Sequence, residues 1–229
     1  MNGVASAHVT VGKSSPRAGV MSRLKTRVQH YPMKNSLFAG QRTALLAATQ
    51  GRVLELCYDP DKNSPYYSPW VTSLALVCLD GVPRDPRGDA NDRGMPIERI
   101  FPGSEITTLP FEDASFDWVV TTLTLCRMKN PQTILVEIRR VLKPSGGYLF
   151  LEHGRSPDAS MRRWQSRCKN LWMEIGGCDI DLEIGAMIAG AGLHLKKFDQ
   201  YQLGHPKFLS TMCRGMACRE DNAASKGRR

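Results

Sequence analysis

The sequence predicts an α/β domain, a mainly parallel sheet with helices on both faces. Three observations predict it. Short apolar or β-branched runs recur at residues 52–57, 73–79, 116–121 and 148–152. Residues 130–142 place Ile134, Leu135, Ile138, Val141 and Leu142 at helical spacing. Strand-like and helix-like segments alternate from there on, the pattern of a parallel sheet covered on both sides.

Taken in order, a helix is expected over residues 36–48, ahead of Gly51. The strand 52–57 ends in a turn-rich run, Asp59-Pro60-Asp61-Lys62-Asn63-Ser64-Pro65. Residues 73–79 read as a buried strand closed by Asp80-Gly81. Pro83, Pro86 and Pro96 with Gly81, Gly88 and Gly94 make residues 81–96 a loop, since prolines interrupt helices. A short strand follows at 97–101, then the aromatic and β-branched strand 116–121. The 130–142 helix has Pro131 in its first turn and stops at Lys143-Pro144-Ser145-Gly146-Gly147. Residues 148–152 form a strand, 162–175 and 181–190 form helices, and 193–198 and 210–219 form the last two strands.

The chain has 229 residues, enough for one domain with a sizeable core. Residues 36–219 are expected to fold, between a basic extension (1–35) and a basic tail (220–229). No apolar run approaches the roughly 18 residues that cross a bilayer. The net charge of +9 favours polyanionic partners such as RNA. No acidic residue precedes Glu55, whereas Lys13, Arg17, Arg23, Lys25, Arg27 and Lys34 do. An acid-poor, Arg-rich, Ser-containing segment of this kind is typical of an organellar transit peptide, so a mitochondrial address is expected, with a plain basic arm as the alternative. The seven cysteines include no C-x-x-C pair, so reduced buried thiols and no metal site are expected.

Two blocks carry a family resemblance. Residues 109–120 read LPFEDASFDWVV, and residues 137–147 read EIRRVLKPSGG, followed by Glu152-His153. Together they resemble the class I S-adenosylmethionine-dependent methyltransferases. Arg163-Trp164-Gln165, Trp172, Gly177-Cys178 and Ala191-Gly192-Leu193 are similar to the small type 11 proteins related to the ubiquinone/menaquinone methylases and to the thiol methyltransferases. The likeness spans roughly residues 36–219 and implies one Rossmann-like domain.

The resemblance also implies a cofactor edge. In that family the first strand, here ending near Glu55, runs into a Gly-x-Gly-x-Gly turn, with Asn63 downstream. This sequence has Cys57, Asp59 and Asp61 at the three glycine positions. Asp80 corresponds to the acid that holds the ribose hydroxyls, and Glu105 to the one facing the adenine amine. Side chains at glycine positions fill space, and two carboxylates there would repel the methionine carboxylate of the cofactor. Weak S-adenosylmethionine binding is therefore expected. The favoured expectation is a non-catalytic binding or assembly component, of a mitochondrial ribonucleoprotein with RNA and protein partners. The alternative is an active methyltransferase on a small-molecule or RNA acceptor.

No residue is assigned a catalytic role. Asp117 is expected to bond locally at a loop end. His153, beyond a strand's carboxyl end, is weighed as a general base against a packing or solvated role, and Cys126 as an exposed thiol against buried filler. Trp164, Trp172 and Met173 are expected on the core face of their helix, with Arg162, Arg163, Arg167 and Lys169 on its solvated face.

Overall fold

The computed structural model describes residues 36–59, 62–80, 94–102, 106–204 and 206–219. The basic extension with its transit-peptide expectation, the tail, residues 81–93 of the Pro/Gly loop, and the site candidates Asp61 and Glu105 lie outside these residues.

The strands are β1 (Gly51–Cys57), β2 (Val71–Cys78), β3 (Ile97–Ile100), β4 (Phe116–Thr122), β5 (Leu142–His153), β6 (Leu193–Gln202) and β7 (Thr211–Arg219). They form one sheet in the order β3-β2-β1-β4-β5-β7-β6. The ladders from β3 across to β5 are parallel, and β7 alone runs against its neighbours. The strand order reverses between β1 and β4. In open α/β sheets the ligand crevice lies beyond the carboxyl ends of the strands at such a switch point.

The helices are α1 (Ser36–Leu46), α2 (Pro131–Val141), α3 (Ala159–Gly176) and α4 (Ile184–Gly190). Each face of the sheet has its own core. On one side Leu54, Leu56, Val119, Tyr148 and Phe150 pack under Ile134, Leu135 and Ile138 of α2 and Ile184 and Ile188 of α4. On the other, Val53, Cys57, Leu76, Val120 and Leu149 pack under Phe38, Leu45 and Leu46 of α1. The period of two along β1 thus sends Val53, Glu55 and Cys57 toward the α1 face. At that end of the sheet this alternation decides what the turn after β1 presents.

The two family blocks are tied together by one side chain. Arg140 on α2 donates from Nη1 to the Phe111 carbonyl (2.8 Å) and Asp113 (2.7 Å), and from Nη2 to the Leu109 carbonyl (2.9 Å) and Glu137 (2.7 Å). Glu137 also accepts from the Leu109 N–H (2.8 Å). The hydrogen bonds from Arg140 hold the Glu137 carboxyl below the usual carboxylate range. In this chain one block therefore clamps the other.

Three expectations change in the structure. Residues 143–147 do not simply end a helix: Leu142 already pairs with Phe116, and Gly147 pairs with Trp118 across a bulge, so this stretch opens β5. Trp164 is 53% exposed and Met173 is exposed as well, so neither is core; the fully buried residue of α3 is Gln165, which bonds the Ser156 N–H and the Gly154 and Ile180 carbonyls. Asp117 bonds far from itself in sequence, accepting from the Arg52 N–H of β1 (2.9 Å) and from Lys143 Nζ of β5 (2.8 Å).

Burial alone would push the Asp117 carboxyl up, but Lys143 and the Arg52 N–H outweigh it and leave its pKa lowered. A carboxylate with a depressed folded-state pKa contributes stability above its unfolded value, near 3.9, and loses it as pH falls through the folded value. Asp117→Asn is accordingly expected to be less stable than wild type at neutral pH. The difference should shrink as pH falls below about 4. Urea midpoints across a pH series check this, and a constant difference down to the acid limit would count against it.

Candidate cofactor site

The carboxyl edge of β1 and β2 is built around a buried acid. Glu55, 2% exposed, accepts from the Tyr67 hydroxyl (2.6 Å) and from Asn63 Nδ2 (3.0 Å). Asn63 Nδ2 also reaches Thr122 Oγ1 at the end of β4 (3.0 Å). Burial, and then the Glu55 charge, push the Tyr67 hydroxyl well above its ordinary pKa, so it remains a donor. Glu55 and Asn63 therefore brace the turn between them from inside the fold.

The turn itself departs from the steric expectation. A glycine is required where φ is positive. Among the described residues, neither Cys57, Tyr58 nor Asp59 has a positive φ. Cys57 turns into the core beside Val53, Tyr67 and Leu76, with Sγ 3.8 Å from the Val77 carbonyl. Its Cβ thus occupies the α1 face. The charge expectation also changes. Arg42 of α1, 4% exposed, has Glu55 and Asp59 within electrostatic reach; burial lowers its pKa while Tyr66, Glu55 and Asp59 pull it up. Arg42 is thus a cation that offsets these acids. Asp80 follows β2 directly, and the Leu79 N–H bonds the Cys57 carbonyl (2.8 Å), which sets Asp80 beside the β1 turn.

The exit of β4 completes the edge. Leu123 has φ 52°, a left-handed backbone rare for a branched residue and common near functional sites. Thr124 is then held by its N–H on the Glu152 carboxylate (3.1 and 2.9 Å) and by its hydroxyl on the Leu56 carbonyl (2.9 Å). Burial pushes the Glu152 carboxyl up, although the Thr121 hydroxyl and the N–H groups of Thr124, Leu125 and Cys126 pull it back.

Next to this turn, Cys126, His153 and Cys178 meet in the interior. His153 is buried at the end of β5, not solvated, and its Nδ1 lies 3.6 Å from both sulfurs. Cys178 is held well below an ordinary thiol pKa by the Cys126 hydrogen bond and by His153 and the Trp172 indole, against its burial, while the Cys178 contact and burial raise Cys126. Burial pulls the His153 imidazole down, but Cys178 and Glu152 leave it raised.

Of the residues the sequence singled out, Glu55, Cys57, Asp59, Asn63 and Asp80 come together at this edge. Arg42, Thr122, Thr124 and Cys178 were missed. Cys178 appeared only within the Gly177-Cys178 resemblance, and the other three stand at positions that carry no motif.

The geometry can now be set beside known proteins. Residues 88–151 match the family described as Methyltransferase domain. The fold resembles a methyltransferase bound to the Trm112 activator from Haloferax volcanii, at TM-score 0.59 and 16% identity, covering 85% of this chain and 96% of that one. It also resembles the Burkholderia thailandensis 1,6-didemethyltoxoflavin-N1-methyltransferase, which holds S-adenosylhomocysteine, at TM-score 0.59 and 13% identity, covering 92% and 93%. The fold is that of the class I S-adenosylmethionine-dependent methyltransferases, and the matched domain falls within it. Within it, the chain is similar to the human thiol S-methyltransferase TMT1B, 33% identical over 158 residues. That match takes in 66% of this chain and spans 63% of the human protein's length.

Proposed function

We propose that the protein is an active S-adenosylmethionine-dependent methyltransferase with a thiol as its acceptor. The observation that carries the reading is the described start of the turn after β1: no positive φ at Cys57, Tyr58 or Asp59, and the Cys57 side chain in the core. At Cys57, therefore, the side chain does not take the cofactor's space. Asp80 would accept the ribose hydroxyls, and Asp59, with Glu55 and Asn63 bracing the turn, would face the methionine end. The cofactor supplies an electrophilic methyl group. The chain's own task is to position and to exclude water, since a displacement at carbon needs mainly alignment of the reacting atoms. Thr124, pinned by Glu152, and Leu123, whose N–H bonds the Leu151 carbonyl, would form the wall beside the acceptor. The thiol class is supported by the similarity to TMT1B.

This reading replaces the non-catalytic expectation because the steric ground for that expectation, a turn filled by side chains, is weakened by the Cys57 geometry. Calorimetric titration of the full chain with S-adenosylmethionine is expected to give a binding isotherm, and mass spectrometry to detect methylation of a small aliphatic thiol. No binding at millimolar ligand by folded protein would overturn the reading. Binding without transfer to any thiol would overturn the acceptor class alone.

A further inference from the structure

The buried Cys126–His153–Cys178 cluster is assembled from three separate places. Cys126 lies in the turn Leu125–Arg127 after β4, His153 ends β5, and Cys178 follows α3. No close pairing in sequence marks them, yet their donor atoms all lie within 4.8 Å of one another. His153 Nδ1 is 3.6 Å from Cys126 Sγ and 3.6 Å from Cys178 Sγ. In a tetrahedral zinc site, with Zn–S about 2.3 Å and Zn–N about 2.0–2.1 Å, the sulfur–nitrogen edge is about 3.6 Å. The two measured edges have that length.

The surroundings hold these positions. The Asp179 N–H bonds the Cys126 carbonyl (2.5 Å), fastening the strand of chain that carries Cys178 to the turn that carries Cys126. The Trp172 indole N–H donates to Cys178 Sγ (3.3 Å), the kind of outer contact that steadies a metal-bound thiolate. Ile180, Leu182, Leu209 and the Trp172 ring enclose the group in apolar surface. Two sulfurs and an imidazole share this space, and thiols alone offer each other only weak hydrogen bonds. A dication between two thiolates would be neutral and would satisfy all three donors at once. Among the described residues no fourth Cys, His, Asp or Glu joins them. A three-ligand set with one tetrahedral position left open is the arrangement of non-structural zinc sites.

We propose that Cys126 Sγ, His153 Nδ1 and Cys178 Sγ bind a zinc ion. The mixed sulfur and imidazole donors select zinc over calcium or magnesium, which take oxygen. The site stands independently of the methyl-transfer reading.

Cobalt titration of the chelator-stripped, reduced full chain tests it. The expected result is one Co²⁺ per chain, with thiolate charge-transfer absorption and the intense visible bands of tetrahedral cobalt, all displaced by Zn²⁺. Cys178→Ser is expected to weaken binding at least a hundredfold, and Cys168→Ser, on the outer part of α3, to leave it unchanged. Folded wild-type protein that takes up no cobalt, or a Cys178→Ser protein that binds as well as wild type, would overturn the proposal. Should Cys178→Ser fail to fold, alkylation of the wild type in mild urea decides the matter. Zinc is expected to slow modification of Cys126 and Cys178 but not of Cys168, and identical rates with and without zinc would reject the site.

Discussion

Glu55→Ala is expected to cost about 3 kcal/mol of stability and to weaken S-adenosylmethionine binding at least tenfold. The carboxylate lies inside the fold and accepts from the Tyr67 hydroxyl (2.6 Å) and Asn63 Nδ2 (3.0 Å). Removing it leaves two buried donors without that acceptor, at about 1–3 kcal/mol each. It also leaves Arg42 with less negative charge nearby, since Glu55 is one of the groups raising the Arg42 pKa. The affinity loss follows from position. Asn63 ties the turn to Thr122 at the end of β4, so slack at Glu55 reaches both sides of the crevice. A loss of about 1.4 kcal/mol in the bound state is a factor of ten. Glu55→Gln keeps the shape and one acceptor oxygen, and a smaller loss, about 1 kcal/mol, is expected. Urea denaturation and ligand calorimetry on the two variants check the series. An alanine variant as stable as wild type would show that the bracket does not hold the turn.

The second large effect is expected at Gly215→Val, in the middle of β7. A Cβ there would stand 2.1 Å from the Lys197 carbonyl oxygen and 2.6 Å from Phe150 Cζ. Neither neighbour can retreat easily. Lys197 is backbone of β6 beside its register shift, and Phe150 is fully buried in β5 with Phe198 against it. The β6–β7 pairing would have to open, or Phe150 leave its place. A loss above about 3 kcal/mol is expected, at the upper end of overpacking effects. Gly40→Ala on α1 is the control. Nothing lies within 4 Å of its Cβ position, and the better helix propensity of alanine should stabilise by about 0.5–1 kcal/mol. Thermal melts of both proteins measure the contrast. Equal melting temperatures would mean that β6 and β7 tolerate separation.

The strands and α2 were legible because their signals are local. β4 combines β-branched and aromatic residues, and α2 has an apolar stripe that the structure buries at Ile134, Leu135, Ile138 and Val141. Errors appear where partners are distant. Residues 142–147 carry stop signals, yet their pairing with β4 makes them strand. Trp164 and Met173 look like core by composition, yet α3 buries a glutamine instead. Glu55, Asn63 and Asp80 do gather at one edge of the sheet, but the conformation of the turn between them was judged from residue type alone.

The sequence by itself determined the α/β alternation, the two coupled motif blocks and the place of the β1 turn, because periodicity and motif spacing are properties of neighbours along the chain. Only the tertiary structure decided that Cys57 folds into the core, that Arg42 faces the acids at the turn, and that Cys126, His153 and Cys178 converge. Those outcomes depend on which face each β residue takes and on which loops the strand order brings together, and neither is written in any local stretch.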